Sequence, residues 1–182
     1  MKKLTMPKWA LLIMLITAFI LPRIVVAQDK TDDLMNDSKE AKASFLKSDQ
    51  SMKNLFDHSY GYAIFPNVGK GPAGVGGAAG KGIVYEKGEA VGKAEMIQVT
   101  VGAQAGGQAY REVIFFENKD ALERFEGNKF EFSAQTSAIA VKSGASAIAN
   151  YRNGVVVFTQ EKGGLMVEAS LGGQKFSYKP LK

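Results

Sequence analysis

A run of glycines from Gly61 to Gly82 constrains this chain more than any other feature of its sequence. Eight glycines fall within it, and Lys70 and Lys81 are its only charged residues. Glycine loses more conformational entropy on folding than other residues, so this density implies positive φ angles or close approach of another group to the backbone. The stretch predicts bulges and tight packing in a curved sheet, or a surface where a ligand reaches backbone N–H groups. The packing interpretation is favoured.

The first 27 residues have the layout of a secretory signal peptide. Basic residues precede an apolar run over residues 9–21, and small or modest side chains lead up to Ala27. As a helix the apolar run would span about 20 Å, against a hydrocarbon core of roughly 30 Å, which disfavours an uncleaved anchor. We expect cleavage between Ala27 and Gln28 and a periplasmic or secreted protein, with peripheral membrane association left open.

Removing the leader changes the electrostatic character of the chain. The full sequence has 23 Lys+Arg and 18 Asp+Glu, a net charge of +5. Four of the basic residues and none of the acidic ones precede Gln28, so residues 28–182 carry 19 against 18, a net charge of +1. A nearly neutral chain lacks the main electrostatic support for binding nucleic acid, and we expect no nucleic-acid partner.

The sequence offers no constellation of reactive side chains. There is no cysteine, and His58 is the only histidine, so a metal site or a Ser-His-Asp triad would have to include it. Its place at the end of a helical stretch indicates instead a C-terminal helix residue that is favoured by the helix dipole. We therefore expect a non-catalytic protein without a metal or cofactor.

Two phosphate-loop interpretations of the glycines fail on context. A P-loop needs Gly-Lys followed by Ser or Thr, and Gly82 follows Gly80-Lys81. The dinucleotide fingerprint is met only loosely from Gly74 to Ala79, and the residues after it, 83–85, have strand character rather than the required helix.

The pattern along the chain predicts an α+β fold. Residues 28–60 are helical, with starts at Thr31 and at Ser48-Asp49, and residues 61–182 are mainly strands within the same single domain. Asn118 should cap one inserted short helix that stops at Gly127. The simplest architecture is a Gly-rich antiparallel sheet, a sandwich or flattened barrel, with the N-terminal helices packed on it.

Local signals refine this outline. Turn residues predict hairpins at Glu86–Glu89 and at Asn153-Gly154. Strands are predicted over 165–171 and 176–178, whereas the Ala/Ser-rich segment 133–149 fits either helix or strand. The apolar residues of the first helix, among them Leu34, Met35, Phe45 and Leu46, could insert at a membrane interface. Packing on the sheet is favoured, because an apolar stripe at helical spacing usually faces the core.

The order and spacing of several motifs resemble those of a known family. These are Gly61-Tyr62-Ala63-Ile64-Phe65-Pro66, Lys70-Gly71, Gly74-Val75-Gly76-Gly77, Gly80-Lys81-Gly82, Gly102, Gly106-Gly107-Gln108, Phe115-Phe116, Phe125, Phe130, Gly163-Gly164-Leu165 and Gly172-Gly173. Together they resemble the signature of SYLF domains over nearly all of residues 28–182.

This resemblance implies lipid binding. Eukaryotic SYLF proteins bind phosphoinositides and membranes, and some fungal members also bind actin. This chain lacks their SH3 and zinc-finger domains and is predicted to be exported, which argues against actin and favours an anionic phospholipid of the bacterial envelope. The expected lipid-binding residues are Lys70, Gly71, Gly74, Gly76, Gly77, Gly80, Lys81, Lys87 and Lys93. The alternative is a structural or interaction protein that self-associates, as a homo-oligomer, without a specific lipid.

Overall fold

The structure is a computed structural model that describes residues 21–70, 77–99, 109–128, 130–132, 137–162 and 169–181. Within these residues three α-helices, α1 to α3, occupy Leu21–Ser48, Met52–His58 and Lys119–Glu126, and a 3-10 turn occupies Ser146–Ile148. The strands are β1 Gly61–Lys70, β2 Gly77–Glu86, β3 Glu89–Val99, β4 Tyr110–Phe116, β5 Ser137–Ala140, β6 Val155–Glu161, β7 Ala169–Ser170 and β8 Gln174–Pro180.

The described strands form one open sheet in the order β7-β5-β6-β4-β1-β2-β3-β8. Every neighbouring pair is antiparallel except β5 and β6, which run parallel. The predicted α+β class, with N-terminal helices and one inserted short helix, is confirmed. The expected antiparallel sandwich or flattened barrel is wrong, because the described strands form a single open sheet that contains one parallel pair and is covered by helices.

Helices cover the sheet on both sides, and each side has its own apolar core. On the face covered by α1 and α2, here the α1 face, Phe45 and Met52 pack on Tyr62 and Phe115 of the sheet. On the opposite α3 face, the central group is Phe125 with aromatic residues of several strands. Burying one such aromatic side chain stabilises the fold by roughly 1.5–3 kcal/mol. Strand β4 contributes to both cores, with Ile114 and Phe116 on the α3 face and Val113 and Phe115 on the α1 face.

Helix α1 packs on the sheet rather than presenting its apolar side to solvent. Phe45 is fully buried, and Leu34, Met35 and Leu46 are partly buried against the same core. The favoured interpretation of this stripe is confirmed. Insertion of these side chains into a membrane would require α1 to leave the sheet.

The predicted start of the first helix at Thr31 was wrong, because α1 already begins at Leu21. No glycine interrupts residues 21–30, and Pro22 lies in the first turn, where it is tolerated. Thr31 is buried and its hydroxyl accepts a hydrogen bond from Lys93 Nζ at 3.2 Å. Its place inside a helix therefore comes from a tertiary contact with β3.

Helix α1 crosses the sheet from one side to the other. Near its N-terminal end Thr31 contacts Lys93 of β3. At its C-terminal end Gln160 of β6 donates to Ser48 Oγ at 2.7 Å and accepts from Ser44 Oγ at 2.9 Å. The helix thus spans the strands between β3 and β6, and the chain preceding Thr31 leaves on the β3–β8 side.

Asp49 organises the junction between α1 and α2. Its carboxylate accepts hydrogen bonds from Ser51 N at 3.0 Å and Ser51 Oγ at 2.7 Å, as expected for a residue that starts a helix. It also accepts from Gly144 N at 3.1 Å, Ser146 N at 2.8 Å and Ser146 Oγ at 2.7 Å. Asp49 therefore fixes the distant 3-10 turn to the helices.

Both predicted turns are confirmed, the first as the hairpin between β2 and β3; the second precedes β6 and is closed by an isolated bridge between Arg152 and Val155. Lys87 and Gly88 have φ of 49° and 87°, and Asn153 and Gly154 have φ of 52° and 78°. Two successive positive φ angles are the signature of the tight turn that matches the twist of paired strands.

The inserted helix is confirmed at both ends. Asn118 Oδ1 accepts from Ala121 N at 3.0 Å, and α3 ends before Gly127. The Ala/Ser-rich segment contains both β5 and the 3-10 turn, although residues 133–136 lie outside the described part. The predicted final strand forms as β8. Of the predicted strand 165–171, only β7 falls within the described residues.

Two glycines of the central stretch are required by packing. A Cβ at Gly82 would lie 2.5 Å from the carbonyl oxygen of Ile64, and one at Gly61 would lie 2.6 Å from that of Tyr85. The first contact adjoins a bulge in β1, where the register shifts between Ile64 and Asn67. The packing interpretation is confirmed at these two positions. At Gly69, by contrast, no atom lies within 4 Å of an added Cβ.

Candidate functional site

Among the described residues, no helix covers part of the α1 face. Successive rows of side chains cross β1, β2, β3 and β8, and in the row of Ile64 and Ile83 the sheet is buried. One row further, Asn67, Lys81, Glu95 and Ser177 are all exposed. The next row consists of Gly69, Ala79, Ile97 and Lys175, which are half-buried or exposed. These eight residues are called the bare face.

The bare face is flat because its side chains near β1 are small. Gly69 and Ala79 are direct partners across β1 and β2, and the space above Gly69 is open. A ligand can therefore approach the backbone here more closely than where larger side chains project. Close approach to backbone is one of the two roles that dense glycine predicts.

An exposed isoleucine lies in the middle of this surface. Ile97 is 52% exposed, and its neighbours across the strands are Ala79 and Lys175. Within the described residues the other exposed large apolar side chain is Ile148, at the 3-10 turn next to Asp49. An exposed apolar side chain among lysines is a feature of surfaces that contact membranes.

Lysines surround Ile97. Lys81 lies 3.8 Å from Glu95, and Lys175 lies 3.6 Å from Glu131, measured between the charged atoms. The side chains of Lys81 and Lys175 are 73% and 68% exposed. Exposed pairs at such distances contribute little free energy and are screened by salt, so both ammonium groups can exchange their partner for an anionic ligand.

The structure distributes the sequence-predicted site residues over several places. Lys81 lies on the bare face, whereas the neighbouring Gly80 packs against Val68 on the α3 face, where its Cβ would be 3.0 Å from Val68 Cγ2. Gly77 begins β2. The backbone of Lys70 ends β1 opposite Ala78, and its side chain lies outside the described part, as do Gly71, Gly74 and Gly76.

The two remaining predicted lysines differ in their distance from Lys81. Lys93 lies one row away, at the border with α1, where its ammonium donates to Thr31. Lys87 lies at the opposite end of β2, in the turn before β3. Lys93 can therefore extend the bare face, and Lys87 does not adjoin it.

Sequence reasoning missed the exposure of Ile97 and the contribution of Lys175. Residues of β3 alternate between the two faces of the sheet: Met96 and Gln98 are buried, and Ile97 faces outward. The signal was present, because Lys93 and Glu95 share the face of Ile97 and indicate the solvent side of the strand.

A second polar site lies inside the α3 face. Glu112 is fully buried, and its Oε2 accepts from Gln174 Nε2 at 3.0 Å. Burial raises the pKa of Glu112 to about 7, although the Gln174 hydrogen bond acts to lower it. Among the described residues Glu112 Oε1 and the nearby Thr159 Oγ1 have no hydrogen-bond partner. A protonated carboxyl is the less costly form in such a place.

Neither a metal cluster nor a membrane-spanning helix is found where the structure describes the chain. No three His, Asp or Glu side chains gather there in a way that could hold a metal ion. No described helix is both long enough and apolar enough to cross a bilayer. His58 is the last residue of α2, as predicted, and its Nδ1 lies 3.0 Å from the carbonyl oxygen of Asn54.

Residues 97–180 match the Ysc84 family, described as the Las17-binding protein actin regulator. The matched region includes Ile97 and Lys175. The chain is also 31% identical over 136 residues to Beta cell expansion factor A of Aeromonas veronii, covering 69% of this chain and 48% of the relative. Residues 97–180 therefore match the SYLF-domain family. The chain spans about half the length of this curated relative.

SYLF domains bind lipids, and their family consists of binding domains rather than enzymes. This fits the described part of the present SYLF domain, where the open surface carries exposed lysines, each beside a glutamate, and an apolar residue at its centre. The two features that the bare face adds to the sequence pattern, Ile97 and Lys175, lie inside the region that matches the family.

Proposed function

We propose that this SYLF protein binds the anionic headgroups of envelope phospholipids through its bare face. The exposure of Ile97 between Lys81 and Lys175 carries the proposal. In the bound state the isoleucine enters the boundary between headgroups and acyl chains, while the ammonium groups contact phosphates. The small residues Gly69 and Ala79 let the sheet lie close to the bilayer.

The physical chemistry favours anionic over neutral membranes. A lysine close to an anionic membrane contributes about 1 kcal/mol, and burying an apolar side chain adds roughly 0.8 kcal/mol per CH₂ group. Lys81, Lys175 and Lys93 together supply a few kcal/mol, which is enough for reversible peripheral binding. The protein acts without catalysis, in the periplasm or outside the cell after cleavage before Gln28.

Co-sedimentation with vesicles tests the proposal. The purified protein is mixed with phosphatidylcholine vesicles with and without phosphatidylglycerol, at low and high salt. We expect binding to the anionic vesicles that decreases as salt screens the charges. Exchanging Lys81 and Lys175 together for Glu should abolish binding. The matched control exchanges Lys142 and Lys119, two exposed lysines away from the bare face, and should leave binding nearly unchanged.

Equal binding to neutral and anionic vesicles, or equal loss in both double variants, would contradict the proposal. The alternative function, self-association through the same apolar surface, predicts a different result. In that case light scattering would find a stable oligomer that dissociates when Ile97 becomes polar and that is indifferent to lipid.

A further inference from the structure

A second concave site lies at the opposite end of the sheet from the bare face. It is a cleft of about 650 Å³ between α2 and the turn that joins β2 to β3. The residues that matter for its chemistry are Lys42, Phe56, Asp57, His58, Tyr60 and Lys87. Its lining thus combines two ammonium groups, an imidazole and aromatic rings with a single carboxylate.

Lys42 is a half-buried cation without a carboxylate partner. Its ammonium donates to Tyr62 OH at 3.1 Å and lies over the rings of Phe56 and Tyr62, at 4.6 and 5.0 Å from their centroids. No ion pair of Lys42 occurs among the described residues. Burial lowers the pKa of Lys42, and the charge of Asp57 partly opposes this. A partly desolvated cation of this kind favours an anion beside it.

The other charged groups of the cleft leave room for an anion. Asp57, the lining carboxylate, forms an ion pair with Lys53. Lys87 lies in the tight turn and has a positive φ of 49°. Its ammonium lies 5.3 Å from the centroid of the Tyr60 ring. Because a carbonyl oxygen only accepts hydrogen bonds, the contact with Asn54 places a proton on His58 Nδ1. His58 Nε2 is then the ring nitrogen that can face a ligand.

We propose that this cleft binds a phosphomonoester whose phosphate contacts Lys42 and Lys87 beside His58 and whose organic part packs on Phe56 and Tyr60. Lysine binds phosphate as a point charge. The two ammonium groups match the charge of a phosphate dianion better than that of a ligand with a single carboxylate. The volume exceeds that of an inorganic anion, and the aromatic walls suit an apolar or planar body. The site is independent of the bare face and of the membrane function proposed above.

His58 gives the experiment a unique reporter, because the sequence contains one histidine. The imidazole proton resonance of the purified protein is followed by NMR while inorganic phosphate or phenyl phosphate is added at constant ionic strength, with chloride as the replaced anion. We expect a saturable shift, with phenyl phosphate binding more tightly than inorganic phosphate. Vesicles that contain phosphatidic acid test whether the same group is accepted from a lipid.

Two variants and a control decide between specific binding and general charge attraction. Lys42→Met and Lys87→Met should each weaken phenyl phosphate binding by at least about tenfold, the loss expected for a charge-assisted contact. Lys142→Met, which removes a distant exposed lysine, should leave the titration unchanged. Lys87 is exposed in a turn, so its variant remains informative if Lys42→Met does not fold.

Each result has a defined meaning. A shift with the free phosphates that Lys87→Met weakens supports a soluble phosphomonoester as the ligand. A shift with phosphatidic acid vesicles alone, again weakened by Lys87→Met, assigns the site to a lipid phosphate. The absence of a saturable shift with any of the probes, or the same weakening in Lys142→Met, would overturn the proposal.

Discussion

Two buried carboxyl groups show how the number of hydrogen-bond donors decides the state of an acid. Burial would raise the pKa of Asp49, but donors from Ser146, Ser51 and Gly144 lower it to about 2. Glu112 has one described donor, Gln174, and burial raises its pKa to about 7. Equally inaccessible groups thus titrate at opposite ends of the acidic range.

The Asp49 carboxylate should stabilise the fold at neutral pH. Its pKa is lower in the folded than in the unfolded chain, so this contribution is complete above pH 4 and is lost as the pH falls toward 2. Asp49→Asn should lower the free energy of unfolding by about 2–3 kcal/mol at pH 7. Urea denaturation measures this loss.

Asp57→Asn is the matched control for Asp49, because it removes an exposed carboxylate with a lysine partner. It should change the free energy of unfolding much less than Asp49→Asn does, because an exposed ion pair contributes little. If both variants were equally stable, the hydrogen bonds that join Asp49 to the 3-10 turn would not contribute as described.

Glu112 should make the free energy of unfolding depend on pH in the sense opposite to that of Asp49. Its pKa is raised in the folded state, so its effect is most favourable below about pH 4.5 and is lost as the pH rises toward 7. Glu112→Gln keeps the shape of the side chain without its charge. Its effect on the free energy of unfolding should be more stabilising at pH 8 than at pH 4, by about 3 kcal/mol. Urea denaturation at both pH values measures this difference. A difference between variant and parent that does not change with pH would contradict the prediction.

At the scale of elements, the glycines of β1 and β2 serve different purposes. Gly82 allows β2 to pass the bulge of β1, and an added Cβ there would meet backbone atoms of Ile64 that cannot move independently. Gly69 has open space above it and lies on the bare face. Adjacent strands of one motif thus contain a packing glycine and a surface glycine.

Alanine at these two positions should separate the two roles. Gly82→Ala should destabilise the fold by about 1–3 kcal/mol, as overpacking does, whereas Gly69→Ala should change stability by less than about 1 kcal/mol. Thermal unfolding by circular dichroism gives both values. A Gly69→Ala variant as unstable as Gly82→Ala would show that the surface at Gly69 is not open.

Local sequence signals predicted the helices, strands and turns better than they predicted which side chains are exposed. Asn118, Asn153-Gly154 and the Lys87-Gly88 turn act within a few residues, so the sequence was sufficient to predict them. The start of α1 depends on the contact of Thr31 with Lys93, which lies 62 residues away in the chain. Likewise, Ile97 is exposed because the cover of α1 ends at the row of Lys93, two rows earlier, and no pattern within β3 contains that information.

At the scale of the whole molecule, local charge matters more than net charge. The full chain carries +5 and residues 28–182 carry +1, so binding to an anionic surface must come from where the lysines lie. The bare face groups them around a single apolar residue, whereas the opposite α3 face holds the second core.

Replacing that apolar residue should weaken vesicle binding without unfolding the protein. Ile97→Ser should reduce the partition coefficient on anionic vesicles by about three- to tenfold. The control is Ile148→Ser, because Ile148 is 82% exposed but lies at the 3-10 turn. Vesicle flotation compares the two, and equal losses would mean that the bare face is not the surface that enters the bilayer.

The diagonal path of α1 decides on which side of the sheet its N-terminal end lies. The contact of Thr31 with Lys93 brings the upstream end of the helix to the β3–β8 side, where Lys175 also lies. If the protein docks through a footprint centred on Ile97, the N-terminal end of α1 therefore lies on the docking flank of the sheet, close to the lipid surface.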